Sequence, residues 1–336
     1  MKKESQESTP GTNMARRTFL RYAGVSVASA GLLATAADAK NHTNITTFKG
    51  IDNSAIGDLA NGNQLVFLTK ESPVLWRVTL NNPPVNIFGP KTIPQLNAII
   101  TAIESDKQLK VVVFDSAIEG FFMTHYDFLS PAEETTSLPT GPTGLLALPD
   151  MLVRLSRAPV VSIAKIRGRA TGVGSELALA CDMRFASREK AILGHFEVGA
   201  GIVPGGGPMA RLPRLMGRGR AMEVLMGADD IPGDLAERYG YVNRSFPDAD
   251  LDGFVDSLAK RIASFDKQAL SDTKRFVDVA SLPSDYEIGA EMPVCFTSIA
   301  RPEAQRRIKL LLDRGLHKAG DVETRLGYHV GQLGND

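Results

Sequence analysis

The sequence predicts an α/β layered fold that gives way to a mostly helical C-terminal region. Short apolar runs bounded by charge or by turn residues read as buried strands, and apolar stripes at helical spacing lie between them. From Pro208 onward the helical pattern takes over. The chain has 336 residues, 43% of them hydrophobic and 23% charged, which allows two domains or one large α/β domain with additions. Lys plus Arg and Asp plus Glu both number 38, so no basic excess marks a nucleic-acid partner. Two cysteines, Cys181 and Cys295, are too few for a disulfide scaffold or a Cys-based zinc module. Cys181, in an apolar segment, is expected to be buried and inert, and nothing in the sequence supports a bridge to Cys295.

In chain order, Leu65 to Thr69 and Val74 to Leu80 are β-rich runs separated by Lys70 to Pro73, which predicts a hairpin. Thr92 can cap a helix in which Ile93, Leu96, Ile100 and Ile103 recur at helical spacing. Val111 to Phe114 and Val160 to Ala164 are buried-strand signatures, with a helical stretch at Met151 to Leu155 between them. A Pro- and Thr-rich break at Ser130 to Gly144 reads as a mobile loop over a site. A glycine turn and a helix through Glu176, Leu177 and Leu179 follow. Later helices are expected at Pro208 to Leu215, Ala221 to Met226, Leu235 to Tyr239, Leu251 to Ser264, Lys267 to Val279 and Pro302 to Arg314. The α/β core is assigned to residues 65–250 and the helical region to residues 251–336, whose tail is expected to cover a neighbouring subunit.

Residues 1–39 read as an address and residues 40–64 as a linker. Arg16-Arg17 precede a mildly apolar Ala/Gly/Ser/Val stretch that ends in small-residue cleavage sites near Ala36 and Ala39. Paired arginines before such a segment resemble a twin-arginine export signal, which implies a periplasmic or secreted location and otherwise a cytoplasmic one. The apolar part falls short of the roughly 20 residues that span a bilayer, so no stable membrane anchor is expected. Translation from Met14 leaves the signal intact.

Chemistry concentrates in two glycine-rich turns. In Gly168-Arg169-Ala170-Thr171-Gly172-Val173-Gly174-Ser175-Glu176 the glycines follow a strand and open a helix, leaving backbone N–H groups free to meet an anion or a developing oxyanion. Glu176 beside them serves either as a helix-dipole partner or as a catalytic carboxylate. The second turn, Gly194-His195-Phe196-Glu197 through Gly205-Gly206-Gly207, surrounds Glu197 with apolar and small residues. That setting fits a carboxyl with a raised pKa, the alternative being a solvated turn residue. The spacing matches neither a dinucleotide fingerprint nor a P-loop, and Ser175 lacks a nucleophile-elbow frame.

These segments carry a resemblance. Cys181 to Ser187, Gly201 to Gly207, Leu212 to Leu215 and Ala236 to Val242 are similar to signature stretches of the enoyl-CoA hydratase/isomerase (crotonase) superfamily, in the same order. The resemblance runs from about Leu65 to Val279 and implies a crotonase-like spiral of ββα units. It implies that the backbone N–H groups of Tyr126 and Val173 hold a thioester oxygen as its enolate forms, with Gly172 and Gly174 as the substrate-binding turn. It also implies that Glu176 and Glu197 flank a water as acid and base, with no metal and no cofactor beyond a CoA moiety carried by the substrate. A homo-oligomer, trimer or hexamer, is expected on the same ground.

Departures from the family pattern point to a divergent pocket. Thr124-His125-Tyr126 stands where small residues are usual, and Gly120 where a basic residue often meets CoA phosphate. Arg167 and Arg169 are either substitute phosphate partners or solvated turn residues, and a pocket for a smaller carbonyl compound with weak CoA binding is expected. His125 and His195 are additional candidate site residues, each balanced against a packed or exposed structural role. The leading reading is an enolate-stabilising lyase or isomerase acting on an acyl thioester or related carbonyl compound. The alternatives are a C–C or thioester hydrolase on the same fold, motivated by His125 and Tyr126, or a non-catalytic binding protein.

Overall fold

The computed structural model describes residues 64–334; the stretch expected to be an export signal, 1–39, and nearly all of the expected linker lie outside them. The expected hairpin is β1 (Val66–Ser72) paired antiparallel with β2 (Leu75–Leu80). Three strand pairs then repeat one pattern: β3 (Val111–Ser116) with β4 (Phe121–Met123), β5 (Val161–Ile166) with β6 (Arg169–Thr171), and β7 (Met183–Ser187) with β8 (Ile192–Gly194). The first member of each pair joins one sheet and the second joins another, so the chain winds as a spiral. Together with β9 (Ile231–Pro232) and β10 (Arg244–Phe246) this gives a six-stranded sheet, β1-β2-β3-β5-β7-β10, and a four-stranded sheet, β4-β6-β8-β9. From β2 to β10 the larger sheet is parallel. A parallel sheet is covered on both faces, which explains why Val111 to Phe114 are all buried instead of alternating.

The helices are α1 (Thr92–Ser105), α2 (Ala132–Thr136), α3 (Ala147–Arg157), α4 (Val173–Ala180), α5 (Pro208–Met216), α6 (Arg218–Gly227), α7 (Gly233–Tyr239), α8 (Asp248–Ala263), α9 (Lys267–Ser281), α10 (Asp285–Gly289), α11 (Glu291–Ile299), α12 (Pro302–Arg314), α13 (Asp321–Thr324) and α14 (Leu326–Gly331). α8 lays Leu251, Val255 and Ala259 against Leu75, Val111, Val113, Ile163 and Phe185 of the large sheet. Among the described residues no helix is long and apolar enough to cross a membrane.

Several expectations change here. The Ser130 to Gly144 break contains α2, none of whose residues is buried, and Asp150 of α3 accepts hydrogen bonds from both the N–H and the hydroxyl of Thr143. The short strands β4, β6 and β8 escaped sequence reading because three residues carry no visible period. The C-terminal tail packs on its own chain: Ala304, Ile308 and Leu311 of α12 and Val322, Leu326 and Val330 join Phe196, Ala200 and Ile202 in one apolar cluster. The tail covers this chain's own turn because that turn presents apolar side chains.

Candidate active site

The strand β6 ends at Thr171, and Gly172 turns the backbone at φ 56°, a left-handed value that favours glycine. α4 begins at once with Val173, whose N–H is among those a first helical turn leaves without an intrahelical acceptor. Glu176 lies one turn in. Its side chain makes no cap; Oε1 instead accepts the Gly206 N–H at 2.8 Å, tying α4 to the second glycine turn. Glu176 is 3% exposed, and burial together with the charge of Glu197 pushes its carboxyl up to about 7, against a smaller opposing pull from His195 and backbone N–H groups.

Glu197 and His195 come from the turn after β8. Glu197 stands close enough to Gly172 that a Cβ there would lie 3.1 Å from Oε1. Its Oε2 has no hydrogen-bond partner and lies 3.6 Å from His195 Nδ1. His195 is 1% exposed, and neither ring nitrogen has a partner. Ligating atoms of Glu176, His195 and Glu197 all lie within 4.8 Å of one another, the one such group among the described residues. Sequence reading missed Glu291, which sits at the start of α11 and accepts the N–H groups of Gly207 and Ala210, both at 3.0 Å. It therefore satisfies the open N-terminus of α5. Burial, reinforced by the Glu176 charge, pushes its carboxyl up to about 8. Eighty-four residues separate Glu291 from Gly207, and no local signal announces that contact.

On the other side of α4 runs the segment after β4. The Gly174 N–H donates to the Thr124 carbonyl at 3.0 Å, and a Cβ on Gly174 would lie 1.9 Å from the Met123 carbonyl oxygen. The backbones of Met123 to His125 and Gly172 to Gly174 are therefore in direct contact. Tyr126 bridges Phe88 in parallel; the bonds are made by the His125 carbonyl and the Asp127 N–H. That pattern turns the N–H of Tyr126 itself to the opposite edge. Its phenol meets the Thr135 hydroxyl of α2, and burial pushes it up to about 12.

Comparison with known proteins now adds to this geometry. The family model described as enoyl-CoA hydratase/isomerase matches residues 70–290. The chain belongs to that family. It is 34% identical over 200 residues to the short-chain-enoyl-CoA hydratase of Clostridium acetobutylicum, covering 59% of this chain and 75% of that protein. It is 30% identical over 233 residues to the carnitinyl-CoA dehydratase of Escherichia coli K12, covering 69% and 84% respectively. A solved Streptomyces avermitilis protein assigned to the enoyl-CoA hydratases superposes with a TM-score of 0.76 at 40% identity, over 80% of this chain and 96% of that one. The mixed α/β spiral with parallel sheets is thus the fold of enoyl-CoA hydratase/isomerase enzymes, and the chain is an enzyme of that type.

For a member of this family, several side chains fall in unexpected places. His125 is fully buried, its Nδ1 on the Tyr126 carbonyl and its Nε2 on Glu323 Oε1, each at 2.9 Å. Burial opposes its charge, but Glu323 outweighs this and holds the imidazole above its ordinary value. Both ring nitrogens are spent on protein groups. His317, 5.1 Å from the His125 ring, is pushed down to about 4 by burial and by the His125 charge. Arg167 pairs with Asp248 and Asp252, and buried Arg169 holds Asp230. His195 and Glu197 are buried, not solvated turn residues, because the tail helices close over their turn. Ser175 Oγ lies 2.5 Å from the Tyr241 hydroxyl in the interior. Both cysteines are free, and burial pushes each thiol up to about 12.

Proposed function

We propose that the enzyme adds water across, or removes it from, the conjugated double bond of an acyl-CoA thioester. The observation that carries this reading is the buried convergence of Glu176 and Glu197, with Glu176 raised to about 7. Glu176, raised toward neutrality, is the group that can carry a proton near neutral pH, and Glu197 beside it is the carboxylate left to act as base. In the hydration direction, Glu197 takes a proton from water as its oxygen bonds to C3. The π electrons move toward the thioester, whose oxygen becomes an enolate oxyanion held by the N–H groups of Tyr126 and Val173. The enolate collapses as C2 takes the proton from Glu176, and one water has been added overall. The close contact of Gly174 with Met123 and Thr124 supports bringing those two donors to one place. The reaction needs no resident cofactor. The names of the Clostridium and Escherichia relatives support a CoA thioester as substrate.

The hydrolase alternative loses its motive, since His125 offers no free nitrogen to a substrate. Export by Arg16-Arg17 to the periplasm and assembly into a homo-oligomer belong to the same proposal, the first supported by the sequence pattern at 16–39 and the second by family membership. Purified enzyme given crotonyl-CoA should consume the enoyl thioester chromophore, and Glu176→Gln and Glu197→Gln should each remove that turnover. Turnover unaffected by either substitution, or cleavage of a simple β-diketone with none of crotonyl-CoA, would refute the reading.

A further inference from the structure

A buried imidazole with no hydrogen bond to protein at either nitrogen is costly and open to a ligand. His195 is in that position, 1% exposed, and it faces Glu197 Oε2, itself buried and unpaired. We propose that His195, Glu176 and Glu197 bind one divalent transition-metal cation, with Zn2+ as the model ion, and that its occupancy shuts the enzyme off.

The donor set decides the class of ion. One imidazole and two carboxylates suit zinc and its neighbours, whereas magnesium and calcium prefer oxygen alone. Zn–N and Zn–O bonds of about 2.0–2.2 Å put tetrahedral ligands about 3.3 Å apart. The three donors here already lie within 4.8 Å, so side-chain shifts of about an ångström close the site, a fourth position remaining for water. The cation accepts the unused lone pairs of Glu197 Oε2 and of one His195 nitrogen. Glu176 keeps the Gly206 N–H on Oε1.

The consequence for rate rests on the hydratase reading; the binding does not. A cation using the Glu176 and Glu197 lone pairs leaves no base for the attacking water and no proton for C2. Metal-free enzyme is then the active form, and zinc a reversible inhibitor.

The test is calorimetric titration of the chelator-treated full chain with ZnCl2, followed by His195→Gln and by His329→Gln, which alters an exposed pair with Asp321. One equivalent of Zn2+ should bind with micromolar or tighter affinity. His195→Gln should weaken it at least tenfold while His329→Gln leaves it unchanged, and excess MgCl2 should not compete. Should His195→Gln fail to fold by circular dichroism, Glu197→Gln takes its place with the same expected loss. Absence of stoichiometric binding, or equal affinity in wild type and the site variant, overturns the site. Turnover of crotonyl-CoA that bound zinc does not slow overturns the inhibition. Zinc binding that depends on His195, in a protein inert toward crotonyl-CoA under chelation, upholds the metal site and refutes the hydratase reading instead.

Discussion

Glu176→Gln should make the protein more stable at alkaline pH even as it removes the proposed catalytic carboxyl. The side chain is buried, and its carboxyl stands at about 7 against an ordinary 4.5. Each factor of ten in proton affinity is worth about 1.4 kcal/mol, so keeping this group charged inside the fold costs about 3 kcal/mol at pH 9. The folded state binds the proton more tightly than the unfolded chain does. Its stabilising contribution is therefore complete below about 4.5 and is lost as pH rises through about 7. Glutamine carries no charge at any of these pH values, and its carbonyl can still accept the Gly206 N–H. The variant also relieves Glu291, which the Glu176 charge helps to raise. Equilibrium urea denaturation of both proteins at pH 5 and pH 9 measures this. The advantage of the variant should be under about 1 kcal/mol at pH 5 and grow to about 3 kcal/mol at pH 9. A difference independent of pH, or a variant less stable at pH 9, would show that Glu176 is not held near neutrality by burial beside Glu197.

Three further outcomes follow from the same geometry. Gly174→Ala forces a Cβ into the Met123 carbonyl, so the backbones carrying the proposed oxyanion donors must separate; kcat should fall by about 10²–10³ with the fold retained by circular dichroism, and unchanged kcat refutes the placement. Glu323→Ala strips His125 of its buried partner and should cost about 3–5 kcal/mol in urea denaturation at neutral pH; a cost under about 1 kcal/mol would mean that the pair contributes nothing. Changing Arg16 and Arg17 together to Lys should hold the precursor in the cytoplasm on cell fractionation, and unaltered export would remove the twin-arginine reading.

Much of the fold was legible because local pattern and burial agree where elements are long. The hairpin, the helix over Thr92–Ser105 and the helix from Pro208 all declare themselves by period or by turn residues, but Thr92 does not cap its helix: Lys91 holds the N-cap position and the buried Thr92 hydroxyl makes no hydrogen bond. The three-residue strands β4, β6 and β8 do not, yet they form the sheet from which α4 and the Glu197 turn spring. The glutamates were visible as residue types beside glycine, but sequence alone left Glu176 as readily a helix-dipole partner and Glu197 as readily a solvated residue. What decides is who covers them, and that is a long-range matter. His195 and Glu197 lie inside because helices more than a hundred residues later close over their turn.

The closure is specific enough to make the C-terminal helices part of the catalytic scaffold. The Glu197 turn is held at its backbone as well as by apolar packing: Ser298 Oγ accepts the Val203 N–H at 2.9 Å, and Arg307 donates to the Gly199 carbonyl at 2.9 Å. Glu291, at the start of the same helical run, fixes Gly207 and Ala210 just beyond the glycine that donates to Glu176. The α/β spiral therefore supplies the two carboxylates and the free N–H groups, but the last helices exclude water from them. Excluding water is what raises the Glu176 carboxyl, since burial is the largest cause of its shift. A spiral with an open Glu197 turn would leave the Glu176 carboxyl solvated at its ordinary value, charged at neutral pH and unable to serve there as an acid. The chemistry of the site thus depends on a segment that bears none of its proposed catalytic groups.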